Sequence, residues 1–210
     1  MTNSIDNKTA PLRARLKELR NAQDPADRRR GALLIRGRLF TWLATMRAQC
    51  LESGQTAPQH IAAFWSMDDE PELQPLLAQW VEDDGIDISL PVVAQPDSPL
   101  QFRLWTPETP MHAGAYGIQE PQGPAAPLPD VVLVPTLGYT RQGDRVGYGK
   151  GYYDRTLAAL KKQNHKFTTI GIAWACGDLS EENYIPAAHD IKLDSILTDK
   201  GWAVPAPKLV

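Results

Sequence analysis

Residues Asp130 to Arg155 read DVVLVPTLGYTRQGDRVGYGKGYYDR. The stretch opens on an uninterrupted apolar run, Val131-Val132-Leu133-Val134, of the kind that forms a strand buried on both faces. Pro135 ends it. In the loop that follows, Gly143, Gly147, Gly149 and Gly151 punctuate two basic residues, Arg145 and Lys150. YYDRTLAALKK then predicts a helix, with Tyr153, Leu157 and Leu160 on one buried face. Strand, glycine-rich basic loop and helix is a recurrent way to hold a phosphate. Glycines let backbone N–H groups approach the anion, the helix offers its N-terminus, and the cations neutralise charge. The loop is not a Walker A sequence, because Gly151 rather than Ser or Thr follows Lys150. Nor does Gly147-x-Gly149-x-Gly151 have dinucleotide-fingerprint spacing. A plain Gly-rich turn is the alternative, but it has little use for alternating glycines beside Arg145, Lys150 and Asp154.

Working outward, the strands alternate with helices. To the N-terminal side, Thr9 and Pro11 read as the cap and first turn of a helix with Leu12, Leu16 and Leu19 on its apolar face, and residues 1–8 as loose. Asp24-Pro25 starts a second helix, with Leu33, Leu34, Leu39, Phe40, Leu43 and Met46 as its apolar positions and bends expected at Gly31 and Gly37. Residues 60–67 read as a strand. A helix over 68–84 follows, capped by Asp68 or Asp69, with Pro71 and Glu70 in its first turn. Residues 86–93 and 101–106 are further strands, and 114–121 a turn-rich loop. To the C-terminal side, 167–175 is a buried strand and 195–199 a short last one. The pattern predicts an α/β fold: a single three-layer α/β/α domain over 1–210 with a mostly parallel central sheet. Ligands in such folds lie beyond the carboxyl ends of the strands. The loops after Met67, Val134 and Ala175 are therefore expected to share one cleft, uniting Glu70, the glycine loop and Asp190.

The 210 residues are 42% hydrophobic and 22% charged, enough for a real core. A net charge of −3 argues against a general nucleic-acid binder. Two cysteines make no disulfide framework, the first ten residues are polar, and no apolar run approaches the ~18 residues a bilayer span needs. The expectation is a cytoplasmic monomer without membrane or nucleic-acid partners. Nine basic residues against three acidic ones lie between Leu12 and Arg38. Most are read as a solvated helical face, with one or two reaching the phosphate loop.

RVGYGKGYYDR, preceded by VLVPTLGYTRQG, closely resembles the signature of the 5-formyltetrahydrofolate cyclo-ligase family. LRARLKELR resembles that family's N-terminal helix, FWSMDDEPE its acidic segment after a strand, ISLPVV its Leu-Pro strand, AYGIQEP its Gly-Ile-x-Glu-Pro loop, and IPAAHDIKLDSILTD its closing segment. The resemblance covers nearly the whole chain. It implies an ATP- and Mg²⁺-dependent ring closure of 5-formyltetrahydrofolate to 5,10-methenyltetrahydrofolate, with ADP and phosphate released through a phosphorylated formyl intermediate.

By position, the resemblance assigns Lys8, Arg13, Arg145, Gly147, Gly149, Lys150, Gly151 and Tyr153 to ATP, with Arg145 and Lys150 steadying the transferred phosphoryl group. It assigns Asp154 and Asp190 to Mg²⁺, and Trp65, Glu70, Tyr116, Tyr148 and Tyr152 to the folate. Aromatic rings suit a flat pterin, and a carboxylate accepts from its amino and ring N–H groups. Core packing is the alternative for Trp65 and Tyr116, and a helix first turn for Glu70. The chain departs from the family pattern at Thr136, at Tyr139-Thr140 in place of Phe-Asp, at Ala175–Asp178 and at Thr9, where Lys8 is one residue out of place. Two other readings remain beside the enzyme: a folate- or nucleotide-binding module without turnover, and an RNA-associated protein using Arg13 to Arg38.

Overall fold

The computed structural model describes residues 3–208, and their side chains from residue 9 onward. Seven strands form the central sheet: β1 (His60–Ala62), β2 (Asp87–Val92), β3 (Gln101–Trp105), β6 (Val131–Pro135), β9 (Thr168–Ala173), β10 (Ser195–Thr198) and β11 (Gly201–Val204). Their spatial order is β11-β10-β9-β6-β1-β2-β3. The five inner strands are parallel, and β3 and β11 flank them antiparallel. Two small hairpins lie outside the sheet: β4 (Met111–Ala113) with β5 (Gln119–Pro121), and β7 (Gly138–Tyr139) with β8 (Arg145–Val146).

Strand β6 shows why the layers form. Its side chains alternate in direction, so Val131 and Leu133 face one layer while Val132 and Val134 face the other. The first layer holds α2 (Pro25–Ser53) and α3 (Gln74–Glu82), whose Ile35, Leu39, Leu43, Leu77 and Trp80 are buried against the sheet. The second holds α4 (Tyr152–Lys162), which buries Leu157 and Leu160. This is the expected three-layer α/β/α arrangement. After β1 the chain goes outward to β2 and β3, then returns across β1 to β6. The switch point, where a crevice opens beyond the strand ends, thus lies between β1 and β6. No helix among the described residues is long and apolar enough to cross a membrane.

Several local expectations are corrected. Helix α1 runs Asn3–Asn21, so Thr9 is not its cap, Pro11 lies inside it and residues 3–8 are helical in backbone. Its inward stripe is half-buried Leu12 with buried Leu16 and Arg20 at four-residue intervals, while Leu19 is 42% exposed. Asp24 does cap α2, accepting from Ala26 N–H at 2.7 Å. The α2 face is rotated from the expected one: Ala32, Ile35 and Trp42 are buried, whereas Leu33, Leu34 and Phe40 are exposed. The helix runs through Gly31 and Gly37. At Gly31 a side chain would collide with the Trp174 ring at 2.7 Å, so glycine is there for close packing. Helix α3 starts only at Gln74 with Pro75 in its first turn, which leaves Asp68, Asp69, Glu70 and Pro71 in the preceding turn. Strand β11 and the β4–β5 hairpin had no counterpart in the expected elements.

Candidate active site

The loop from β8 to α4 crosses the carboxyl ends of β1 and β6. Gly149 (φ +90°) and Gly151 (φ +64°) take left-handed conformations that other residues rarely adopt. A side chain at Gly149 would also strike the Arg13 guanidinium at 2.9 Å. From α1, Arg13 Nε donates to the Gly147 carbonyl at 3.2 Å. The basic helix therefore does reach the glycine loop, through Arg13.

Arg145 lies at the base of the loop and is 6% exposed. Its guanidinium pairs with Asp154 at 2.8 Å and lies 6.0 Å from the Tyr153 ring centre. Arg145 Nε and Tyr153 Oη are buried without a hydrogen-bond partner among the described residues. Burial pushes the Tyr153 phenol well above its ordinary range, keeping it a neutral donor. Asp154 also accepts from Ile191 N–H at 3.3 Å, which ties it to the residue after Asp190. Asp190 itself accepts from Ala187 N–H at 2.8 Å.

The two aspartates offer hard carboxylate oxygens at one corner, a donor set that suits Mg²⁺. Among the described residues no group of three or more His, Cys, Asp or Glu could hold a metal without further ligands. Mg²⁺ commonly completes its sphere with phosphate oxygens and water, so a protein pair fits the ion.

A second cluster adjoins the loop. Glu70 is 7% exposed and accepts a short hydrogen bond from Tyr148 Oη and one from Met67 N–H at 3.0 Å. Burial raises the Glu70 pKa, while Met67 N–H, Tyr148 and Arg20 pull it back down. Tyr148 in turn accepts from Arg20 at 2.6 Å, and Lys17 Nζ lies 5.6 Å from its ring centre. Beyond these, Trp65 packs edge-on against Trp105 at 6.2 Å. Tyr116 and Tyr152 meet through their hydroxyls at 3.2 Å, and exposed Lys150 lies 5.7 Å over the Tyr116 ring. Lys150 and Arg145 thus sit in different surroundings, one solvated among aromatic rings and one buried against a carboxylate. The Lys8 side chain lies outside the described residues.

Sequence reasoning missed the cluster formed by Arg20, Asp69 and Thr136, having named Asp69 only as a possible helix cap and Thr136 only as a departure from the family pattern. Arg20, one of the nine basic residues read mostly as a solvated face, is 1% exposed. The available signal was its spacing: it falls four residues after Leu16 and eight after Leu12, on the inward stripe. The departures also acquire local reasons. Thr140 Oγ1 accepts from Gln142 and Asp144 N–H groups at 3.3 and 3.2 Å and donates to Asp144 Oδ2 at 3.0 Å, closing the β7–β8 turn. Asp178 takes Arg141 and Ser180, anchoring the segment after β9.

A mostly parallel α/β sheet with a cation-bearing glycine loop at its switch point defines a class: the α/β proteins that take polar ligands beyond their strand ends. The comparisons narrow it. The family model "5-formyltetrahydrofolate cyclo-ligase family" matches residues 5–199. The 5-formyltetrahydrofolate cyclo-ligase of Mycolicibacterium smegmatis is 32% identical over 199 residues, covering 90% of this chain and 92% of that protein. That of Haemophilus influenzae is 33% identical over 152 residues, covering 68% of this chain and 77% of that protein. The NMR structure of Aquifex aeolicus 5,10-methenyltetrahydrofolate synthetase shares the fold, with a TM-score of 0.71 at 22% identity over 96% of each chain. The chain belongs to the 5-formyltetrahydrofolate cyclo-ligase family, and it is an enzyme, a ligase.

Proposed function

We propose that this chain, as one cytoplasmic domain acting as a monomer without nucleic-acid or membrane partners, closes 5-formyltetrahydrofolate to 5,10-methenyltetrahydrofolate at the expense of ATP. The observation that carries this reading is the meeting of two buried clusters at one strand-end corner. Arg145–Asp154 suits a phosphate and its counter-ion, and Glu70–Tyr148 suits a polar heterocycle.

A formamide carbonyl is a poor electrophile and its oxygen a poor leaving group. The formyl oxygen attacks the γ-phosphorus of ATP, the bond to ADP breaks, and the oxygen becomes part of a phosphate ester. N10 then adds to the formyl carbon, the carbon–oxygen bond breaks to release phosphate, and N10 loses its proton. The protein must align the reactants and stabilise charge on the moving phosphoryl group. Arg145 and Lys150 supply cations for this. Arg13, Gly147, Gly149, Gly151 and Tyr153 shape the nucleotide side, and Lys8 belongs to the same set. Asp154 and Asp190 would hold Mg²⁺, which neutralises phosphate charge when bound. On the folate side, Glu70 accepts from pterin N–H groups, and Trp65, Tyr116, Tyr148 and Tyr152 provide rings and hydroxyls.

The test is formation of methenyltetrahydrofolate, read as new near-ultraviolet absorbance, with ATP or Mg²⁺ omitted as controls. Product in the complete mixture only, with loss in Lys150→Ala, supports the reading. Binding of both substrates without product would instead favour a binding module.

A further inference from the structure

Arg20 is a fully buried cation on a helix where Arg13 is half-buried and Arg15 and Lys17 are exposed. Its fork is used on two terminal nitrogens. One donates to Tyr148 Oη at 2.6 Å and meets Asp69 Oδ2 at 3.3 Å, and the other donates to the Thr136 carbonyl at 3.1 Å. These three partners come from the loop after β8, the turn after β1 and the end of β6. A hydroxyl has one proton. With Arg20 donating to the Tyr148 oxygen, that proton is directed at Glu70. Each Glu70 oxygen then carries one protein donor, Tyr148 or Met67 N–H, and keeps a lone pair for a ligand.

We propose that Arg20 is a positioning residue for the folate half of the reaction, acting through Tyr148 on Glu70. The inference rests on the cyclo-ligase reading, in which Glu70 receives the pterin. Arg20 touches no substrate in this scheme. It holds the carboxylate, the tyrosine and the end of β6 in one frame, and it supplies the positive charge that a buried carboxylate lacks. The groups facing Glu70 are Arg20 from α1, Tyr148 from the glycine loop, Tyr153 from α4 and Asp69 beside it in its own turn. Arg20 is the cation among them, and it opposes both burial and Asp69 in favouring the ionised form. Lysine cannot replace it fully, because an ammonium lacks the planar fork that reaches partners on three segments.

The role separates from a merely structural one in steady-state kinetics of the full chain with Mg·ATP. KM for 5-formyltetrahydrofolate and for ATP are measured separately, with the pH profile of kcat/KM for the folate. Arg20→Met is expected to raise the folate KM on the order of 10-fold or more, the effect of losing one charge-assisted contact, and to leave the ATP KM within about twofold. Its acid limb should move to higher pH, because Glu70 without the cation needs a higher pH to ionise. Arg20→Lys keeps the charge, so it should restore the acid limb while leaving the folate KM raised. Combining Arg20→Met with Tyr148→Phe should give less than the product of the two single effects, because the residues act in series. If Arg20→Met does not fold, Arg20→Gln takes its place beside Arg20→Lys. Wild-type turnover with an unmoved acid limb in the uncharged variant, or with both KM values raised in parallel, would overturn the role of Arg20 alone. No wild-type turnover would overturn the cyclo-ligase reading and this inference together.

Discussion

The two ends of the parallel sheet differ in the charge they gather. At the amino ends carboxylates take up backbone N–H groups of the neighbouring strands. Asp130 accepts from the N–H groups of Gln59 and His60 at 2.7 and 3.0 Å, and Asp194 accepts from Thr169 N–H and Oγ1 at 2.8 and 2.7 Å. His60, 3% exposed, shares one hydrogen bond of 2.7 Å with Ser89 through Nε2, and its Nδ1 is buried without a hydrogen-bond partner among the described residues. At the carboxyl ends charge is collected instead. Arg20, Glu70, Arg145 and Asp154 all lie there, with the orphaned Arg145 Nε and Tyr153 Oη among them. Burying a polar group without a partner costs stability; at the amino ends that cost falls on the neutral ring nitrogen His60 Nδ1, and at the carboxyl ends on Arg145 Nε and Tyr153 Oη, beside other charges. The amino ends hold the sheet together, and the carboxyl ends gather the charged groups to which the proposed function assigns the ligands.

The contrast is broken most severely at Arg145. Arg145→Ala leaves half-buried Asp154 without its cation and, on the proposed reading, removes a phosphate contact. Turnover should fall on the order of 10²–10³-fold, and denaturant unfolding should show a loss of about 3 kcal/mol. Next, Gly149→Ala forces a side chain into φ +90° and against Arg13. It should raise the ATP KM and destabilise by roughly 1–2 kcal/mol, seen in kinetics and melting curves.

His60→Gln tests the amino ends. Burial lowers the His60 pKa below its ordinary 6.5. Below pH 6.5 the unfolded chain takes up a proton that the native chain refuses. Stability contributed by the neutral ring is therefore intact above that pH and lost as pH falls through it toward the lower folded value. The variant should show a shallower acid-side fall in Tm than the wild type, with turnover at neutral pH unaffected. Smallest of all, Arg30→Ala removes an ion pair with Asp27 whose partners are 74% and 69% exposed. No measurable change in Tm or turnover is expected, because solvent already screens such a pair.

How much of this was legible in the chain depends on how local the governing physics is. The β6 run, the Asp24 cap and the α4 face were readable because period and capping are properties of neighbouring residues. The register of α2 was not. Leu33 and Leu34 look as apolar as Leu39, and only the angle at which the helix meets the sheet turns them to solvent. Strand β11 was missed because four residues at an edge carry little pattern, and their pairing comes from β10. The glycine loop and the acidic Glu70 were visible, but the turn that holds Glu70 was taken for a helix start. The sequence itself determined the α/β alternation, the glycine loop with its cations, and membership in the family. Tertiary structure alone decided that Arg20 is buried, that Arg145 meets Asp154, and that Tyr148 lies between Arg20 and Glu70. Those contacts join residues far apart in the chain, and no local pattern specifies an encounter that the sheet order creates.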